Sequence, residues 1–131
     1  MPFESSITQG ILNYLNSLPE CIAEKTKGDS TSSGRADISG CYKGRALRIE
    51  VKTPDNKNVA SKKQRLDLQK WLASGAIVCI AYSVPYVQRM IQAYEERKHS
   101  GCNEVYVEES ENHCVSYASW KALEAFTEKE D

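Results

Sequence analysis

Asp37, Glu50 and Lys52 are the side chains whose spacing could do chemistry. They lie at the two ends of the stretch Asp37-Ile38-Ser39-Gly40-Cys41-Tyr42-Lys43-Gly44-Arg45-Ala46-Leu47-Arg48-Ile49-Glu50-Val51-Lys52. If Lys43-Gly44 is a two-residue hairpin loop, Tyr42 opposes Arg45, Gly40 opposes Leu47 and Ile38 opposes Ile49, which makes one side of the ribbon apolar. On the other side Asp37 lies opposite Glu50, with Lys52 two positions further along. Directly opposed side chains have Cβ atoms about 5 Å apart, and like charges at that distance destabilise a sheet. A cation between them removes the conflict. Hard divalent cations take carboxylate oxygens while keeping waters, and Lys52 could offset charge on a phosphate or help activate a water. The geometry therefore points to a metal site for phosphoryl transfer or hydrolysis. An exposed hairpin face on which Asp37, Glu50, Lys52 and Arg48 form loose ion pairs accounts for the same residues.

The elements that must position these groups can be read from periodicity. Residues 36–42 and 45–53 predict two strands, the second ended by Thr53-Pro54-Asp55-Asn56. Before them, Ile7, Ile11, Leu15 and Leu18 recur at helical spacing with Leu12 beside them, and Pro19 closes that helix. Residues 25–34 read as a polar loop. Ser61 can cap a helix running to Ala73, with Leu68, Trp71 and Leu72 on one face and Gly75 stopping it. A buried strand over 76–82 and a helix over 84–98 follow, then a break at Gly101. A weaker pattern suggests a late hairpin over 104–108 and 113–117, and Trp120, Leu123 and Phe126 mark a last short helix. The order is α-β-β-α-β-α with an extension, a mixed α/β class with a small central sheet. Glu4 shares the apolar side of the first helix, either as a first-turn acid favoured by the helix dipole or as a group pointing into the site. Gln64, four residues before Leu68 and seven before Trp71, faces the sheet, where it could equally satisfy buried backbone.

The chain has 131 residues, of which 40% are hydrophobic and 27% charged, with net charge −1. That suits one domain with its own core and excludes collagen-like and low-complexity chains. No apolar run approaches a membrane span. Met1-Pro2-Phe3-Glu4-Ser5-Ser6 lacks a basic segment followed by an apolar one, so an intracellular, cytoplasmic protein is expected. Five cysteines without a C-x-x-C pair make a poor disulfide framework. His99, Cys102, His113 and Cys114 resemble zinc ligands in type only, because adjacent ligands point apart. Charge is unevenly spread. Between Lys25 and Lys70 twelve Lys/Arg face five Asp/Glu, a balance of +7 that leaves −8 elsewhere. A polyanion-binding surface on an acidic body explains this, as does a solvated charged face.

The ordered set Gly34-x-x-Asp37, Ile49-Glu50-Val51-Lys52, Gln64 and the Gly75-Ala76 step into 77–82 resembles the PD-(D/E)XK nuclease superfamily. Within it, the set is most similar to the VRR-NUC (virus-type replication-repair nuclease) family in its short stand-alone form, over residues 4–83. The resemblance implies a restriction-endonuclease-like α-β-β-β-α-β core, a small mixed central sheet flanked by helices, and an extension over 84–131. It implies Asp37 and Glu50 as ligands of Mg²⁺ or Mn²⁺, with Glu4 and the Val51 carbonyl as further ligands. Lys52 becomes the catalytic lysine, and Gln64 a supporting helix residue. Ala36 stands where the family often has Pro, and the loop over 25–33 has no aromatic residue.

The expected activity is metal-dependent endonucleolytic hydrolysis of DNA. By resemblance it acts on branched, nicked or junction DNA, as a homodimer built like Holliday-junction resolvases, in phage or prophage replication, recombination or repair. Lys25, Lys27, Arg35, Lys43, Arg45, Lys57, Lys62, Lys63 and Arg65, with Lys70, are the expected contacts to DNA phosphates. No base-reading motif is visible, so recognition through backbone and shape is expected. The tyrosines at 82, 86 and 94 are expected to pack rather than stack on bases. Competing readings are a restriction-type nuclease with other substrate geometry, a catalytically silent DNA-binding module and an acidic interaction protein.

Overall fold

The computed structural model describes residues 4–26, 36–52, 62–99, 106–109 and 114–117. Its elements are α1 (Glu4–Asn16), β1 (Cys21–Lys25), β2 (Ile38–Tyr42), β3 (Arg45–Val51), α2 (Lys62–Ala73), β4 (Ile77–Ala81), α3 (Val84–His99), β5 (Tyr106–Glu109) and β6 (Cys114–Tyr117). The strands form one mixed sheet in the order β1-β2-β3-β4-β6-β5. The class is mixed α/β.

β2 and β3 are joined by the two-residue turn foreseen from Lys43-Gly44. Both turn residues have positive φ, 48° and 87°, the twist that matches a tight antiparallel pair. The ladder pairs Tyr42 with Arg45, Gly40 with Leu47 and Ile38 with Ile49, the expected register. β3 then runs parallel to β4, Leu47 beside Ile77 and Glu50 beside Ile80. β4 is buried at all five positions, as a central strand must be when helices cover both of its faces. β6 pairs antiparallel with β4, and β5 with β6, so two strands of the C-terminal stretch complete the sheet.

Alternation along β2 and β3 divides the sheet into two faces. Ile38, Leu47, Ile49 and Val51, all fully buried, point to the layer of α1 and α3. That layer is fastened by Gly10 of α1 against Val84 of α3 and by Tyr42 Oη, which donates to Glu95 at 2.7 Å. The opposite face meets α2, whose Trp71 lies under the Arg48 guanidinium. α2 ends in a Schellman turn. Gly75 N–H donates to Leu72 O at 3.0 Å and Ala76 N–H to Trp71 O at 3.0 Å, with Gly75 at φ 103°. Gly75 thus stops the helix as its position suggests. Tyr82, Tyr86 and Tyr94 are buried in the core, as expected.

β1 is absent from the sequence-based order, and Lys25, read there as loop, is its last residue. Only Ala23 of its five positions is buried, so it carries little hydrophobic signal. It is held by ladder hydrogen bonds to β2 and by the Asn16 side chain, which donates to Ala23 O and accepts from Ala23 N. Lys27, Arg35, Lys57, Ser61, Cys102, His113 and the final helix over 120–126 lie outside the described residues. Glu4 and Lys62 are placed by their backbone alone.

At Gly40 a Cβ would collide with the Ile22 carbonyl oxygen and crowd Ala23 on β1. Gly40→Ala should therefore destabilise the fold by about 1–3 kcal/mol, read as a lowered midpoint in urea unfolding. An unchanged midpoint would contradict the β1–β2 pairing.

Candidate active site

The site forms where β2 begins and β3 ends. Asp37 directly precedes the Ile38–Ile49 pair, so the register carries it opposite Glu50 on the α2 face. Its backbone carbonyl accepts from Thr26 N–H at 2.8 Å, extending the β1–β2 pairing by one residue. Its carboxylate Oδ2 accepts from Val51 N–H at 2.8 Å, which ties the start of β2 to the end of β3. Lys52 N–H donates to Ala81 O at 2.9 Å, so the β3–β4 pairing also reaches the site. The backbone on three sides of the two acids is therefore fixed.

Glu50 is only 2% exposed. Glu50 therefore does not lie on an exposed face, and the Arg48 guanidinium packs over Trp71. Two groups hold one carboxylate oxygen. Gln64 Nε2, from the first turn of α2, donates to Oε2, and Lys52 Nζ lies 3.4 Å from the same atom. The other oxygen, Oε1, is buried with no hydrogen-bond partner among the described residues. Burial, and then the Asp37 carboxylate beside it, push the Glu50 carboxyl up to about 8, against the smaller opposing pull of Lys52. Asp37 is close enough to exchange a hydrogen bond with Glu50 when one of the two is protonated.

The donor set suits a hard divalent cation. Two adjacent carboxylates, one with an unsatisfied buried oxygen, supply the one or two acidic ligands that Mg²⁺ commonly takes, and its remaining positions go to water and phosphate. Among the described residues no group of three or more His, Cys, Asp or Glu side chains converges. Val51 buries its side chain on the opposite face, so only its backbone can take part. Gln64 sits where its spacing put it, against the sheet and on Glu50.

The expected phosphate contacts separate into groups. Lys25 and Lys63 are exposed, Lys25 at the end of β1 beside Ile38 and Lys63 next to Gln64. Both stand at the carboxylate end of the sheet. Lys43 and Arg45 occupy the far end of the hairpin. Lys43 Nζ pairs with Glu95 at 3.3 Å, and Arg45 donates to Gly75 O at 2.8 Å and to Tyr94 Oη at 3.1 Å. They fasten the sheet to α3 and do not adjoin the acids. Arg65 is buried. Charge alone shows neither which end of the hairpin Lys43 and Arg45 reach nor that Arg65 of α2 is buried.

Three further groups share the face of the acids: Arg48, two residues before Glu50, and Thr26 and Ser39, whose hydroxyls are 2.6 Å apart. The alternation that puts Asp37 and Glu50 together also puts Ser39 opposite Arg48 on that side, and this was the available signal. No protein-family model matches the chain, and no curated protein matches it. None of the described helices is long and apolar enough to cross a membrane.

Glu50 has a folded-state pKa above its ordinary value of 4.5, so the fold favours its protonated form. That contribution is complete below pH 4.5 and is lost as pH rises through about 8. Chelator-treated protein should lose stability over this range by a few kcal/mol, at about 1.4 kcal/mol per pKa unit. Glu50→Gln should flatten the dependence, and excess Mg²⁺ at pH 8 should restore stability to the unaltered protein. Thermal melts across pH check all three.

Proposed function

We propose that the chain is a metal-dependent deoxyribonuclease that hydrolyses phosphodiester bonds, using Asp37 and Glu50 to hold Mg²⁺ or Mn²⁺. The observation that carries this reading is Glu50, a nearly buried carboxylate pressed against a second one, with one oxygen left without a donor. A structural ion pair would satisfy that oxygen. Glu4, at the head of α1, and the Val51 carbonyl are the further ligands proposed. The α-β-β-β-α-β order of the first six elements supports a restriction-endonuclease-like fold of the PD-(D/E)XK kind, and within it the VRR-NUC resemblance.

When bound, the cation supplies Lewis-acid polarisation of a phosphate oxygen and lowers the pKa of a water. The protein's own groups do the positioning. Gln64 and Lys52 hold Glu50 Oε2 and so fix the carboxylate, leaving Oε1 as the oxygen they do not engage. Lys52 Nζ can also donate to a phosphate oxygen as charge builds there. In the reaction a water oxygen bonds to phosphorus and gives up a proton to solvent, the bond to the leaving oxygen breaks, and that oxygen takes a proton from solvent.

Lys25 and Lys63, exposed at the carboxylate end of the sheet, support a nucleic acid as the substrate, bound through its phosphates. Branched or nicked DNA, a homodimer presenting two sites, and a role in phage replication, recombination or repair follow from the family resemblance and belong to the same proposal.

The test is cleavage of duplex, flap, nicked and four-way DNA under Mg²⁺ and Mn²⁺ titration. Cleavage should require metal and stop with EDTA; activity indifferent to chelation would rule the mechanism out. Asp37→Asn and Glu50→Gln should each lower cleavage by at least about a hundredfold while preserving DNA binding in EDTA. Lys63→Glu should weaken that binding and lessen its salt dependence.

A further inference from the structure

Beside the acids the sheet carries a groove that the hydrolytic reading leaves unused. Resting on that reading, we propose that Arg48, together with the Ser39 and Thr26 hydroxyls, binds the phosphate next to the scissile one and so sets where the substrate strand lies.

Register gives the first argument. Arg48 and Glu50 are two residues apart on β3 and face the same side, about 6.6 Å along the strand. That is comparable to the step between successive phosphates of an extended nucleic-acid strand. A strand with one phosphate at the carboxylate pair and running along β3 brings its neighbour to Arg48.

The second argument is the form of the subsite. Arg48 is not a loose surface charge, because its guanidinium carbon lies 3.5 Å from the Trp71 ring centre. Nη1 also donates to Leu47 O at 3.1 Å. Stacking orients the planar group and lowers the entropy lost when it grips a phosphate with two donors. Opposite it, the Thr26 and Ser39 hydroxyls are bonded to each other at 2.6 Å, with Thr26 in the same cross-strand row as Asp37. A small polar recess between Arg48, Ser39, Thr26 and Trp71 opens beside them. Arg48 and Ser39 also line a groove of about 340 Å³ over β1 and β2, a nucleotide-sized space.

Two carboxylates limit the subsite. Asp67 lines the recess and Glu24 the groove. Both repel phosphate, so they restrict it to the strip between Ser39 and Arg48. The arrangement is one of positioning, and Arg48 acts on the substrate's register rather than on the bond broken.

Arg48→Gln tests this, since the amide keeps a planar end over Trp71 but carries no charge. In EDTA, affinity for a labelled duplex should fall about tenfold, and the slope of log affinity against log salt should drop by about one. Mn²⁺ affinity without DNA should not change. In a second arm, phosphates around a mapped cut are replaced one at a time by neutral methylphosphonates. The unaltered protein should lose affinity at the phosphate adjacent to the cut, and the variant should show no added loss there. If Arg48→Gln melts early, Arg48→Lys replaces it, expected to keep the salt slope but lose the position-specific sensitivity. Unchanged binding by the variant, or equal sensitivity at every phosphate, would overturn the subsite and leave the nuclease reading standing. If the unaltered protein neither binds nor cuts DNA, both fall.

Discussion

The structure turns on a carboxylate held almost out of water beside another carboxylate. Burying an ionised acid is costly unless it is paired, and a like-charged neighbour adds to the cost. The Lys-Gly turn sets the β2–β3 register that makes Asp37 and Glu50 opposed. The parallel neighbour β4 closes the far side of Glu50, and α2 covers it from above while supplying Gln64. Each of these features removes water from Glu50, while Gln64 and Lys52 return polar contact, both to one oxygen. A fold selected for stability alone would place an apolar residue at position 50, as it does at 49 and 51.

The β2–β3 hairpin divides its work between its ends. At the turn, Tyr42, Lys43 and Arg45 engage Tyr94 and Glu95 through hydrogen bonds, an ion pair and ring contacts, with Arg45 also stacked 5.1 Å from the Tyr94 ring centre. Burial, reinforced by Glu95, pushes the Tyr42 phenol well up from its ordinary range, which keeps it a hydrogen-bond donor. At the open end the ladder stops in two acids. The well-satisfied end anchors the strands so that the unsatisfied end keeps its shape.

Much of this was legible in the sequence where the signal was local. The two-residue turn and the apolar alternation of Ile38, Leu47 and Ile49 gave the register, and with it the opposition of Asp37 and Glu50. Leu68 and Trp71 gave the sheet-facing side of Gln64. What escaped was non-local. β1 buries one side chain in five, with Ile22 exposed, so neither alternation nor apolar run marks it. Its place comes from backbone bonds to β2 and from Asn16, thus from partners a window of sequence does not contain. Lys43, Arg45 and Arg65 share a charge type with Lys25 and Lys63, yet tertiary contacts send them to different ends or to the interior. Arg48 was visible as a cation near the acids, but its seat depends on Trp71, twenty-three positions away.

α2 touches both parts of the site. Gln64 lies in its first turn and Trp71 in its last, two turns of one short helix that ends in a closed Schellman cap. A rod of that length does not flex between the two points, so a slide or tilt of α2 reaches both ends together. Withdrawing Gln64 from Glu50 also lifts the indole from under Arg48. The carboxylate clamp and the guanidinium perch are thus geared to a common shaft, and a force on either one is transmitted to the other.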